Sequence, residues 1–146
     1  MISPSDDAVI EILKDVGLVT SEQIDEARRH AKENKLGVVD ALIDDGVVSK
    51  MEVLKTVGMQ LGMDVVVLAD VEIVPEIIAS VPAYLARRYK VIPVVSDETT
   101  LKVAMSDPFD IETLDSLRYV LKRNVEGMVA APDEIAIALD HYYGRE

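Results

Sequence analysis

The sequence predicts an α+β chain in which a helical tandem repeat is followed by a small sheet with helices packed on it, in the order β-α-α-β-β-α-β-α. Three observations predict it. The chain matches itself at an offset of 29 residues through its first third. Hydrophobic periodicity changes from helical to strand-like after Gly62, and the remainder alternates short β-branched runs with amphipathic segments. The domain division that follows is 1–62 for the helical repeat, in copies of about 6–34 and 35–62, and 63–146 for the α+β part.

The offset pairs Val9 with Val38, Leu13 with Leu42, Asp15 with Asp44, Gly17 with Gly46 and Val19 with Val48. Each copy opens with a short amphipathic helix, its apolar positions Val9, Ile10 and Leu13 in the first and Val39, Leu42 and Ile43 in the second. Each helix runs into a glycine suited to a left-handed cap. A capping box then starts a second helix: Thr20 with Gln23 over about 21–34, and Ser49 with Glu52 over about 50–61. Neither copy has enough apolar surface to stand alone, so the two are expected to face each other as a four-helix unit.

Val65 to Leu68 reads as a buried strand, and Pro75 and Pro82 open two short helices over about 76–80 and 83–89. Val91–Ser96 and Thr100–Met105 are strands of a hairpin linked by Asp97-Glu98-Thr99. Asp110 caps a helix whose Leu114, Leu117 and Leu121 share a face. Val125 to Ala130 is the last strand, and Pro132 opens a final helix with Ile135, Leu139 and Tyr142 or Tyr143 inward and Gly144 beyond its end.

With 146 residues, 49% of them apolar, the chain can bury a core and is not disordered. Its formal net charge of −12 repels phosphate backbones and anionic lipid, which argues against a nucleic-acid partner. Cysteine is absent, excluding disulfides and thiolate chemistry. No glycine is followed by lysine, so the sequence holds no phosphate-binding P-loop, and it has no G-x-G-x-x-G or G-x-S-x-G. The expectation is a chain without catalytic residues. His30 and His141 lie far apart and read as surface-helix residues, Asp44-Asp45 as a solvated turn, and Asp107 and Asp110 as capping groups, so no metal site is expected. The densest basic spot is Arg87, Arg88 and Lys90, at a helix C-terminus whose carbonyls favour cations. It is the candidate partner contact.

Gln60-Leu61-Gly62 ending a helical repeat, Val65-Val66-Val67-Leu68, Pro82 through Tyr89, Val91-Ile92-Pro93-Val94, Val103 through Pro108, and Leu117-Arg118 follow in order. Over about residues 6–144 the chain closely resembles the N-terminal domain of type II secretion ATPases, the secretion protein E family, a domain shared with type IV pilus assembly ATPases. The resemblance implies a non-catalytic module that docks a hexameric C-terminal ATPase onto the cytoplasmic part of an inner-membrane platform protein. It also implies that this chain is a domain of a longer protein, cytoplasmic and peripheral to the inner membrane through its partner, with no direct membrane insertion.

Some relatives bind cyclic di-GMP through the repeat, each copy supplying an R-L-G start and a closing Gln. By that resemblance Lys35, Leu36, Gly37 and Gln60 are the candidate ligand residues of the second copy, with Lys in place of the Arg that makes planar contacts. Gly37 and Gly46 stand further apart than in ligand-binding members. In the first copy Asp6, Asp7 and Ala8 replace R-L-G and Ala31 replaces the Gln, which opposes a dianionic ligand. No cofactor is therefore expected, and cyclic di-GMP is the alternative reading.

Overall fold

A computed structural model describes residues 4–105 and 107–144. The chain divides into two compact units, with the boundary between Gln60 and Leu61.

The first unit contains α1 (Pro4–Asp15), α2 (Ser21–Asn34), α3 (Val38–Asp44) and most of α4 (Lys50–Leu61). The repeat seen in the sequence is a repeat of hydrogen bonds. Leu18 N–H donates to the Leu13 carbonyl at 3.0 Å, and 29 residues on Val47 N–H donates to that of Leu42 at 3.1 Å. Between them Gly17 and Gly46 take φ of +83° and +78°, closing each first helix with its carbonyls satisfied. Both capping boxes form reciprocally: Thr20 with Gln23 at 2.9 and 3.2 Å, Ser49 with Glu52 at 2.8 and 3.1 Å. α3 packs against both α1 and α2. Its buried face is Val38, Ala41 and Leu42, one residue round from the expected Val39, Leu42 and Ile43, so Val39 and Ile43 are only half-buried. A seven-residue helix sandwiched this way buries its small Ala41 with its branched neighbours. Ile10, Leu13, Val19, Ile24, Ala27, Ala31, Val48, Val53 and Val57 complete the buried set.

The second unit contains a 3-10 turn (Leu68–Asp70), α5 (Pro75–Ile78), α6 (Ala83–Tyr89), β1 (Val91–Ser96), β2 (Thr100–Met105), α7 (Ile111–Leu121), β3 (Asn124–Val129) and α8 (Pro132–Tyr143). The sheet order is β1-β2-β3, β1 antiparallel and β3 parallel to β2. Pro93 is tolerated because β1 is at the sheet's edge, and the register slips between Pro93 and Val95. The expected first strand, Val65 to Leu68, is reduced to one parallel bridge between Val65 and Val129. Glu134, in the first turn of α8, explains the loss. Its carboxylate accepts the Leu68 and Ala69 N–H groups at 3.1 and 3.3 Å, drawing the backbone into the 3-10 turn instead of a ladder. β3 begins and ends one residue earlier than the sequence pattern suggests, and α5 covers Pro75–Ile78 instead of 76–80.

Leu85, Ala86, Val91, Ile92, Leu101, Val103, Ala104, Leu114, Leu117, Val125, Ile135, Ala138 and Leu139 form one aliphatic core. Polar ties lock its rim. Arg118 donates to the Val125 carbonyl at 3.0 Å, and Arg123 to that of Asp97 at 2.6 Å. Asp97 accepts the Thr99 and Thr100 N–H groups at 2.9 and 2.7 Å. The Thr100 and then the Thr99 backbone bonds hold its carboxyl below the ordinary value of 3.8. The Tyr143 hydroxyl lies 3.0 and 2.9 Å from the Ile78 and Val81 carbonyls, and burial pushes its pKa up to about 12.

Gly17→Ala and Gly46→Ala should each cost about 1–2 kcal/mol, the price of left-handed backbone at a residue with a Cβ. Urea midpoints check this, and near-equal losses are the signature of the structural repeat. For Tyr143 the folded pKa exceeds the unfolded value, so the neutral phenol's contribution is complete below pH 10 and disappears towards pH 12. Tyr143→Phe should lower stability at pH 7 by about 1 kcal/mol and flatten this alkaline limb of a pH–stability curve.

Candidate functional site

The helix ends position the residues singled out from the sequence. Lys35 ends α2 in left-handed conformation, φ 56°, with its N–H on the Ala31 carbonyl, and its side chain is exposed. Leu36 and Gly37 lead directly into α3, where Gly37 is the N-cap and provides no capping side chain. Gln60 is exposed at the penultimate position of α4. The Asp6 carboxylate sits over Gly37: a methyl group there would lie 2.9 Å from Asp6 Oδ2. The residue expected to repel an anion from the first copy thus lies against the glycine of the second. A carboxylate near the positive end of α3 is electrostatically favourable, and it faces the backbone an anionic ligand would approach.

The basic spot is split by the structure. Arg87 hydrogen-bonds the Gly144 carbonyl just past α8, tying the last helix to α6. Arg88 lies over the Tyr89 ring at 5.6 Å, and Lys90 ends α6 at φ 55°. Arg88 and Lys90 line a cleft of about 450 Å³ with Asp107, Asp110 and Glu112, so positive and negative groups share one surface. Asp110 is committed to capping, accepting Thr113 N–H at 3.1 Å and its hydroxyl at 2.8 Å; Asp107 accepts Phe109 N–H at 3.1 Å. Ser106 lies outside the described residues.

Sequence reasoning missed one cluster. His30, taken as an isolated surface residue, meets the Asp44-Asp45 turn: Nδ1 is 2.7 Å from Asp45 Oδ1 and Nε2 is 3.1 Å from Asp44 Oδ2. The fifteen-residue separation fits no metal-binding motif, because packing of α2 on α3, not helical spacing, brings them together. A cavity of about 460 Å³ adjoins them, lined also by Gln23, Glu26, Arg29 and Glu33. It lies at the end of α3 opposite Lys35, Leu36 and Gly37. His141 stands apart, on α8, edge-on to Tyr142.

These features define an α+β domain that presents polar surfaces and helix ends, and its sequence contains no P-loop. The chain belongs to the MshEN domain family, whose model matches residues 61–146. It is similar to the type IV pilus assembly ATPase PilB of Myxococcus xanthus, 29% identical over 136 residues, which are 93% of this chain and 24% of that protein. It is also similar to bacteriophage adsorption protein B of Escherichia coli K12, 27% identical over 92% of this chain and 18% of that protein. The chain therefore spans about a quarter or less of the length of these relatives. Among solved structures, MshE with cdg superposes with a TM-score of 0.75 at 26% identity, over 92% of this chain and 98% of that one. The N-terminal domain of XpsE shares the fold, with a TM-score of 0.61 at 19% identity over 97% and 98%. Among the described residues no helix is long and apolar enough to cross a membrane.

Gly37→Ala should lower stability by crowding Asp6, and the loss should shrink when Asp6→Ala is also present. A double-mutant cycle in urea should give a coupling of about 0.5–3 kcal/mol. Independent, additive losses would separate the two residues.

Proposed function

We propose that the chain is the non-catalytic docking domain of a secretion- or pilus-type motor ATPase. It binds the cytoplasmic part of an inner-membrane platform protein and couples a hexameric C-terminal ATPase to it, which keeps it cytoplasmic and peripheral to the membrane. The observation that carries this reading is the match of nearly the whole chain to about a quarter of a pilus assembly ATPase, by residues that contain no P-loop. Such a segment serves the motor by contact. The cleft bearing Arg88, Lys90, Asp107 and Glu112 suits a protein surface of mixed charge, where opposite charges set register and exclude wrong partners.

A second reading, a cyclic di-GMP receptor, is favoured by the likeness to MshE with cdg. Against it stand Lys35 in place of an arginine and the Asp6 carboxylate over Gly37, both unfavourable to a planar, dianionic ligand. The similarity to a bacteriophage adsorption protein also supports a domain that serves more than one kind of host protein.

Immobilised platform protein, its cytoplasmic domain alone, should retain this chain at micromolar concentration and moderate salt. Arg88→Glu with Lys90→Glu should weaken retention at least tenfold. Failure of the unsubstituted chain to bind would sink the docking reading. Calorimetry with cyclic di-GMP should show no saturable heat; micromolar binding lost in Lys35→Ala or Gln60→Ala would establish the receptor instead.

A further inference from the structure

Of the three residues in the His30 cluster, Asp44 belongs to the repeat, matching Asp15, whereas His30 and Asp45 have no counterpart in it. Twenty-nine residues after His30 stands Met59, and twenty-nine before Asp45 stands Val16. Three groups able to ligate a cation have thus accumulated where α2 of the first copy packs on α3 of the second. One donor atom from each lies within 4.8 Å of the other two.

Their electrostatics call for a cation. Asp44 and Asp45 sit at the C-terminal, negative end of α3, and Glu26 and Glu33 line the adjoining cavity. Arg29, which also lines it, is paired with Glu26. A neutral imidazole has one N–H, yet both ring nitrogens face carboxylates. An imidazolium would donate to both carboxylates, and a cation held between Nε2 and Asp44, with the remaining N–H on Nδ1 given to Asp45, would take the place of its second proton.

That arrangement has the form of a metal site. A histidine ligand ordinarily gives its other N–H to a carboxylate, which fixes tautomer and orientation, and the 2.7 Å contact to Asp45 is such a bond. The 3.1 Å between Nε2 and the Asp44 oxygen is a few tenths of an ångström short of the separation of about 3.3–3.6 Å between neighbouring tetrahedral ligands with bonds of about 2.0–2.2 Å, a gap that a small swing of the exposed Asp44 closes. The side chains of His30 and Asp45 are each 26% exposed and that of Asp44 is 64% exposed, so Asp44 has the most room to adjust. The geometry points to a divalent transition-metal site, with His30 Nε2 and Asp44 as ligands, Asp45 as the positioning residue and water filling the remaining positions. The imidazole–carboxylate donor pair selects zinc-like ions over magnesium or calcium. A bound ion pins α2 to the end of α3 and stabilises the helical unit by mass action.

The test is titration of the whole chain with Zn2+, followed by calorimetry and thermal melting, with Mg2+ in parallel. Saturable one-to-one zinc binding and a raised Tm are expected, with neither from Mg2+. His30→Gln and Asp44→Asn should each abolish binding, Asp45→Asn should weaken it about 10–100-fold, and His141→Gln should leave it unchanged. Circular dichroism reports whether each variant folds, and the exposed Asp44 supplies a ligand variant should His30→Gln fail to fold. Absence of saturable zinc binding overturns the proposal. So does binding that survives both ligand substitutions, which would mark dispersed attachment to an acidic surface.

Discussion

In the first unit α3 is the helix on which both α1 and α2 rest. It has seven residues, too few to be stable alone, yet α1 and α2 both pack on it. Val38, Ala41 and Leu42 are wholly buried, so the helix exists because its neighbours cover it, and they are placed because it is there. The glycine turns make this mutual burial possible. Gly17 and Gly46 reverse the chain within a residue or two and deliver Val19 and Val48 to the core before the next capping box begins.

The second unit rests on a different device, in which charged and hydroxyl side chains tie backbone to backbone at the edges of an aliphatic core. Glu134 bends the entering chain, Arg118 and Arg123 hold β3 and the hairpin turn, and Arg87 fastens the end of α8. Several of the segments that resemble the secretion ATPases perform this work. Ala104, Met105 and Pro108 are buried, Asp107 closes a turn, Leu85 and Ala86 are in the core, and Arg87 and Arg118 donate to carbonyls. Their sequence specificity is that of a fold, which is why they identify a domain without identifying what the domain binds.

The acidic charge has a local meaning as well as a global one. It disfavours nucleic acid at long range. At short range Asp6 lies against Gly37, Asp97 organises its turn through two backbone N–H groups, and Asp44 and Asp45 converge on His30. The same residue type thus shields a helix start, locks a hairpin and builds a cation-seeking cluster, the difference lying in which donors face it.

The sequence by itself determined the elements whose causes are local. Left-handed glycines, capping boxes, proline-started helices and the hairpin are decided by side chains within a few residues, so Gly17, Thr20, Ser49, Asp110 and Pro132 could be read directly. Tertiary structure decided what depended on distant partners. Val65 to Leu68 has the composition of a strand, but a carboxylate 66 residues away takes the Leu68 N–H and turns the chain aside. Arg87 and Arg88 are adjacent in sequence yet serve different surfaces, because successive helix positions point about 100° apart. His30 acquired its aspartates only when α2 was laid on α3, a juxtaposition that depends on packing angle and has no signature in sequence spacing.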